Sequence, residues 1–359
     1  MTVFLQRNFD WPLIVGLLVL AIVSLTSLMS LSSDFFWRQL LWYFLAFSII
    51  LGGSKLNLMG LVSRGWFRYG VYWFSIVLLL LSNLQSGTVR GVKSWVFLGS
   101  VQFEPAEIAK LGLIFVLAGF FSRKYIAAWL GKNIFLSLIY TLIPASLIAI
   151  HPDFGSAIVV CGIWVGFLLT SGINKKRLIF GLILAFLFGF VLWMFFLKPY
   201  QKDRLTSFIF PSRDPLGTSY NVIQSKIAIG SAGFWGKGFG GGTQAQLNFL
   251  PEAKSDFIFS AFVEEWGFVG GVVVVSAFLL VIYRMTKIGM LARSNESKFI
   301  VLGAILVMFI HFLVNIGSNL GLMPVTGINF PFLSYGGSSI LTIAALMSIV
   351  EKIKLESSY

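Results

Sequence analysis

The chain reads as an all-α polytopic integral membrane protein, with about ten transmembrane helices and one long extracytoplasmic loop. Three observations predict this. Hydrophobic residues make up 57% of the sequence and charged residues only 11%, far outside the range of soluble domains. Apolar runs long enough to cross a bilayer as helix recur from end to end. Only one long polar interval, Lys198 to Asp256, interrupts them.

Taken in order, Pro12 to Leu31 opens the series soon after Arg7. It is too long for the apolar core of a typical signal peptide and no small-residue cleavage site follows, so it is read as a retained helix. Phe36 to Gly53, Gly70 to Leu84, Ala106 to Ser122, Asn133 to Ile150, Phe154 to Ser171 and Leu178 to Leu197 follow. Beyond the polar interval come Phe257 to Tyr283, Phe299 to Leu322 and Gly336 to Val350. Nothing of useful size is left for a soluble domain. Residues 1–359 are taken as one membrane domain, with 198–256 as a long loop within it.

The formal charge of +13 invites a nucleic-acid reading, but the distribution of cations argues for topology. Lys55, Arg64 and Arg68 form one cluster, Arg123, Lys124 and Lys132 another, and Lys175, Lys176 and Arg177 a third. Arg284, Lys287, Arg293 and Lys298, then Lys352 and Lys354, complete the set. These fall on alternate loops, while the short loops between hold only Arg38, Arg90 and Lys93. That bias places both termini in the cytoplasm and the long loop outside. The lone cysteine, Cys161, excludes an intrachain disulfide and reads as a core thiol. His151 and His311 are too few and too distant for an imidazole metal cage.

The acids concentrate where the predicted topology puts the outer face: Asp34, Glu104, Glu107, Asp153, Asp203, Asp214, Glu252 and Asp256. A site open to that face explains the bias, and a scaffold does not. Glu107 and Lys110 stand three apart on one helical face. They read as a mutual ion pair that locks helices, or as a pair in which Lys110 reaches a substrate phosphate, the two being compatible if Glu107 holds Lys110 in place. Asp256 begins the next helix, where it serves as a cap or as a site carboxylate; an acid at that depth is costly without a task. Of Glu264 and Glu265, one is expected to pair with a base such as Lys110 and the other to face a wet cavity. Tyr220 to Ile229 reads as a short helix on the membrane surface, with Ile223 and Ile227 one turn apart. Gly236 to Gly241 matches GxGxxG in form only, since no strand precedes it and no βαβ unit contains it. It reads as a mobile turn, or as backbone amides cradling a phosphate. GLMPVTGINFPFLSYGGSS, Gly321 to Ser339, breaks the helical pattern with two prolines and a double glycine. Such backbone is tolerated at membrane depth only beside protein or a wet cavity.

Several long motifs then stand in a familiar order: GVKSWVFLGSVQFEPAEIAK (Gly91 to Lys110), HPDFGSA (His151 to Ala157), RLTSFIFPSRDPLGTSYNVIQSKIAIGSAGFWGKG (Arg204 to Gly238), GTQAQLNFLPEAKSDFIFSAFVEEWG (Gly242 to Gly267) and PVTGINFPFLSYGGSS (Pro324 to Ser339). With these the chain resembles, over essentially its whole length, the SEDS family (shape, elongation, division and sporulation) of peptidoglycan glycosyltransferases, the RodA and FtsW group. GTQ-x-Q-L-x-F-LPE inclines it toward RodA. The resemblance implies ten membrane helices and polymerisation of lipid II into β-1,4 glycan at the outer face of the bacterial cytoplasmic membrane during elongation. It puts the essential carboxylate on Asp256, and makes Glu107, Lys110, Arg90, Lys93, Asp153, Arg204, Gln224, Lys254 and Ser334 candidate substrate-binding residues. There are departures. The usual Gln-Pro-Ser-Glu reads Glu104-Pro105-Ala106-Glu107, the usual His-Thr before the Asp reads Lys254-Ser255, Ser94 stands for an Arg, and His151 replaces a Gln.

The chemistry needs one base for the incoming hydroxyl and cations for the departing diphosphate. A divalent cation, magnesium or manganese, is compatible with that diphosphate although no ligand cluster identifies it; no organic cofactor is expected. The implied partner is a single-pass class B penicillin-binding protein within an elongation complex. A lipid II flippase is the alternative reading, since a lined cavity and broken helices serve transport equally. A non-catalytic scaffold for a transpeptidase is the third.

Overall fold

The computed structural model describes residues 9–82, 95–98, 101–123, 131–172, 199–210, 214, 215, 217 and 219–357, with isolated positions at Lys176, Ile179, Gly181 and Met194. It is almost wholly helical. α1 (Trp11–Leu31), α2 (Ser33–Gly53), the short α3 (Leu58–Val62) and α4 (Gly65–Ser82) lead to a hairpin of β1 (Val96–Leu98) and β2 (Val101–Phe103). α5 (Pro105–Arg123), α6 (Gly131–Ile150) and α7 (Phe154–Thr170) follow. The polar interval holds α8 (Pro199–Ile209), α9 (Tyr220–Ser231) and one turn, α10 (Thr243–Gln246). α11 (Ile258–Leu291), α12 (Asn295–Asn319) and α13 (Gly337–Ser357) close the bundle.

Seven of the described helices are long and apolar enough to cross a membrane, and α7 is a shorter apolar helix. Their exposed flanks are apolar, as in Trp37, Phe44, Trp66, Phe135 and Tyr283. That pattern suits a hydrocarbon solvent, in which outward apolar side chains cost nothing. α5 is the most enclosed of the spans. It packs on α4, α12 and α7, and Phe121, Phe167 and Phe299 meet around its far end.

At the opposite end from Asp256, Asp10 caps α1 by accepting the Leu13 N–H at 3.1 Å. It also takes a two-pronged bond from Arg284 of α11 (2.8 and 2.5 Å), and its N–H donates to Glu351 of α13. One aspartate thus ties three helix ends together.

Several expectations change. The predicted Leu178 to Leu197 span lies almost entirely outside the described residues. The hairpin at 96–103 was not expected, being too short for a periodic signal; it pairs antiparallel with Val96 opposite Phe103. The Tyr220 to Ile229 helix forms, but it packs on α11 and α12 through Ser225 and Ala228, leaving Ile227 exposed. Small residues make that buried stripe, and Ile227 faces outward as a surface-lying helix requires.

The apolar run from Phe257 continues to Leu291, but with a break. Gly267 has φ 67° and ψ −168°, so α11 is two helices meeting at a kink. The backbone groups freed there are met by the glycine loop: Lys237 and Gly238 N–H donate to the Glu264 and Glu265 carbonyls (3.0 and 2.9 Å), and the Phe268 N–H donates to Gly233 O at 3.0 Å. The Lys237 and Gly238 amides of this loop are therefore taken up by protein. Glu264 accepts from Lys237 (2.7 Å), Thr243 and the Gln244 N–H, while Glu265 accepts from Ser30 and Gln246. Neither pairs with Lys110. Both acids staple the loop to α11.

Candidate active site

A cavity of about 1050 Å³ opens at the Asp256 end of the bundle, at or above the roughly 300–1,000 Å³ typical of small-ligand pockets. Its walls come from the start of α2, the hairpin, the turn before α7, α9, the chain before α11, and the 321–338 segment. The last is the Gly321 to Ser339 motif, which lines the cavity as expected. It stays irregular because Pro324 and Pro331 cannot continue a helix. Its groups are satisfied locally, Ser334 Oγ accepting from Phe330 N–H at 2.8 Å.

Asp256 lines this cavity while being only 8% exposed. Its backbone is held by other segments. Asn315 and Asn319, one turn apart on α12, both donate to the Asp256 carbonyl, at 3.0 and 2.8 Å. Ser334 Oγ donates to the Ser255 carbonyl at 2.6 Å, and Tyr335 N–H to the Lys254 carbonyl at 3.0 Å. The N-cap of α11 is Phe257, with no side-chain cap bond. Asp256 therefore stands one residue outside the cap, and the capping reading does not describe its geometry.

The expected ion pair on α5 is present. Lys110 is 1% exposed and donates to Glu107 Oε1 at 2.9 Å. Its ammonium also meets His311 Nε2 at 3.1 Å, while His311 Nδ1 meets the Asn329 carbonyl at 3.2 Å. An ammonium has no acceptor capacity, so Nε2 must accept and Nδ1–H donates to Asn329. The chain Glu107–Lys110–His311–Asn329 thus supports the cavity wall from behind. Neither Glu107 nor Lys110 is among the lining residues.

Glu104 and Asp153 do line the cavity, and their carboxyl groups are hydrogen-bonded. Asp153 also caps α7 by accepting the Ser156 N–H at 3.0 Å. Desolvation, then the Glu107 charge and Asp153, push Glu104 from its ordinary 4.5 up to about 8. It therefore keeps a proton to higher pH than an ordinary carboxyl does. Because the folded value is raised, this group's contribution to stability is complete below pH 4.5 and is lost as pH rises through about 8. Glu104→Gln keeps a donor at every pH, so thermal unfolding measured between pH 5 and 9 is expected to lose part of this slope. Equal slopes in both proteins would assign the titration elsewhere. Burial also pushes the His151 imidazole down; its Nε2 meets Ser82 Oγ at 3.2 Å.

Of the other sequence candidates, Ser334 is occupied in holding Ser255 and Phe330, and Lys254 lies 4.4 Å over the Phe35 ring. Gln224 on α9 is not among the lining residues. Arg204 lies within α8, and its α8 neighbours Ser207 and Phe208 line the cavity. Arg90 and Lys93 lie outside the described residues. Sequence reasoning missed Arg38, Lys226, Glu252, Thr326 and Asn329 as lining residues. For Lys226 the signal was present, two residues from the chosen Gln224. Among the described residues no three His, Cys, Asp or Glu side chains converge as a metal site.

Fold and site define a polytopic helical membrane protein with a carboxylate-lined cavity built at one end of the bundle. The chain belongs to the FtsW, RodA and SpoVE family, described as cell cycle proteins, which it matches over residues 5–359. It is 38% identical over 294 residues to the peptidoglycan glycosyltransferase MrdB of Escherichia coli K12, covering 81% of this chain and 78% of that one. It is 32% identical over 368 residues to a probable peptidoglycan glycosyltransferase FtsW of Thiomicrospira cyclica, covering 98% and 93%. Its fold matches a chain from a solved peptidoglycan synthase complex, described as coordinating polymerization and crosslinking. There the TM-score is 0.82 and the identity 31%, over 97% of this chain and 98% of that one.

Proposed function

We propose that this chain is a peptidoglycan glycosyltransferase that polymerises lipid II at the outer face of the cytoplasmic membrane, with Asp256 as general base. The observation that carries the reading is a buried aspartate whose backbone is held by donors from α12 and Ser334, on the wall of a cavity roomy enough for a lipid-linked disaccharide. Two named peptidoglycan glycosyltransferases, at 38% and 32% identity, support the reaction class.

In this mechanism the 4-hydroxyl of a GlcNAc attacks the MurNAc anomeric carbon with inversion. The new bond forms from the hydroxyl oxygen to that carbon, Asp256 takes the hydroxyl proton, and the anomeric carbon–oxygen bond breaks. Its electron pair leaves with the lipid diphosphate. The leaving group is already good, so no strong general acid is required. Asn315, Asn319 and Ser334 keep the base from moving, as a positioned base must be. A divalent cation would accompany the diphosphate when bound; no step depends on it.

An elongation role is favoured by the GTQAQLNFLPE stretch, Gly242 to Glu252, and a class B penicillin-binding protein partner by the likeness to a synthase complex. Topology with both termini cytoplasmic rests on the alternation of cation-rich loops. The test is purified protein in detergent or vesicles with lipid II already on the accessible face. Glycan polymer is expected, with the rate changing when the cognate transpeptidase is added. Lipid II movement across vesicles without any polymer would replace this reading with transport. Rescue of rod shape rather than of septation in depleted cells checks the elongation role.

A further inference from the structure

The reaction leaves a diphosphate with one more negative charge than it brought, yet the cations singled out in the sequence do not supply its counter-charge. Lys110 is buried against Glu107 and His311, and Lys254 covers an aromatic ring. Among the described residues, the only Lys or Arg side chains lining the cavity are Arg38 and Lys226.

Lys226 is exposed on α9, and the structure gives it a dedicated path. Its side chain lies across Gly321, where any Cβ would collide with its terminal carbon. Gly321 has φ +70° and ends α12 as a left-handed cap, with Leu322 N–H donating to Gly317 O at 2.7 Å. A side chain there is disfavoured by conformation, while the lysine end, being flexible, could move aside. The lysine forms no ion pair with any described residue, so its charge is available to a ligand.

Lys226 is also registered against the base. Its neighbour Ser225 donates to the Asn319 carbonyl at 2.7 Å and shares a 2.6 Å bond with Ser260 Oγ. The same Asn319 donates through Nδ2 to the Asp256 carbonyl and accepts the Ser260 N–H through Oδ1. One asparagine therefore fixes both α9 and the chain carrying Asp256. A cation and a carboxylate on one cavity wall, set by one residue, match the two charges that develop in the displacement: positive character leaving the hydroxyl and negative charge arriving on the diphosphate.

We propose that Lys226 binds the lipid diphosphate and stabilises its charge as it departs. This deepens the glycosyltransferase reading and rests on it. An ammonium against phosphate oxygens makes charge-assisted hydrogen bonds, worth about 10- to 100-fold in affinity. The test uses undecaprenyl diphosphate without sugar, so binding is read apart from turnover. Wild type and Asp256→Asn are expected to bind it alike, Lys226→Met about 10- to 100-fold more weakly, and Lys226→Arg close to wild type. Lys226 is exposed, so the methionine variant is expected to fold, with monodisperse elution as the check. Polymerisation by Lys226→Met should fall with kcat, and Lys226→Arg should restore most of it. Unchanged diphosphate affinity in Lys226→Met, with wild type binding and polymerising normally, overturns the assignment and leaves the enzyme reading intact. No polymer from wild type overturns the enzyme reading itself.

Discussion

Asp256→Asn is expected to lower polymerisation of lipid II by about 10²–10⁴-fold, the usual cost of removing a positioned base. The protein should remain folded and inserted, and should still bind its substrate. The geometry makes the test clean. Asn315 and Asn319 grip the backbone carbonyl of residue 256, Ser334 grips residue 255, and the helix begins at Phe257 without a side-chain cap. The substitution removes basicity while those bonds stay, so lost activity cannot be charged to a lost helix cap. Initial rates of polymer formation, with lipid II binding measured in parallel, give the answer. A residual rate above about a tenth of wild type lies outside the range for a lost base. Glu252, which lines the same cavity, would then take over the role.

Lys110→Met carries the largest expected stability loss. It strands Glu107, 3% exposed, as a buried carboxylate and leaves the His311 ring nitrogen without its donor. Removing one partner of a buried pair costs about 3–5 kcal/mol, whereas replacing both with neutral groups of similar size is often tolerated. The double variant Glu107→Gln with Lys110→Met is therefore expected to recover much of the loss. Unfolding midpoints of wild type, single and double variants in one detergent decide it; a single variant as stable as wild type would show that the charge is not buried as described. Activity measured well below the single variant's unfolding temperature separates support from contact. A supporting lysine permits substantial turnover there, and a substrate-binding one does not.

Hydropathy carried the fold into view because a bilayer demands long apolar helices wherever the chain crosses it. It also flagged the irregular Gly321 to Ser339 stretch, since prolines and glycines at membrane depth need a cavity or protein beside them. Asp256 was visible as a carboxylate where lipid would forbid an idle one. What stayed hidden were partners. Lys110 and Glu107 showed their shared face by spacing, but His311 lies 201 residues further on, and nothing local pairs it with them. One of Glu264 and Glu265 was expected to pair with a base, and Glu264 does, but with Lys237, carried by a loop whose glycines suggested motion or phosphate. The kink at Gly267 decided that, because carbonyls freed inside a helix attract whichever amides are near. Lys226 was passed over for Gln224 because spacing ranks faces of a helix and says nothing about which face closes a cavity.

The meeting of Gly236 and Gly267 also bears on how this protein can vary through descent. Both are in left-handed conformations, and a methyl on either would strike the backbone of the other's segment: Gly236 against the Glu265 carbonyl, Gly267 against the Gly236 nitrogen. Compensation normally works by shrinking the neighbour that clashes. Here what would be struck is main chain, of Glu265 and Phe234 as well as of the two glycines, and no codon change can trim it. A first substitution at either position thus has no second one at its counterpart to repair it. Lineages that keep the broken helix inherit the two glycines as a locked pair, and a random library should return neither position altered among functional clones.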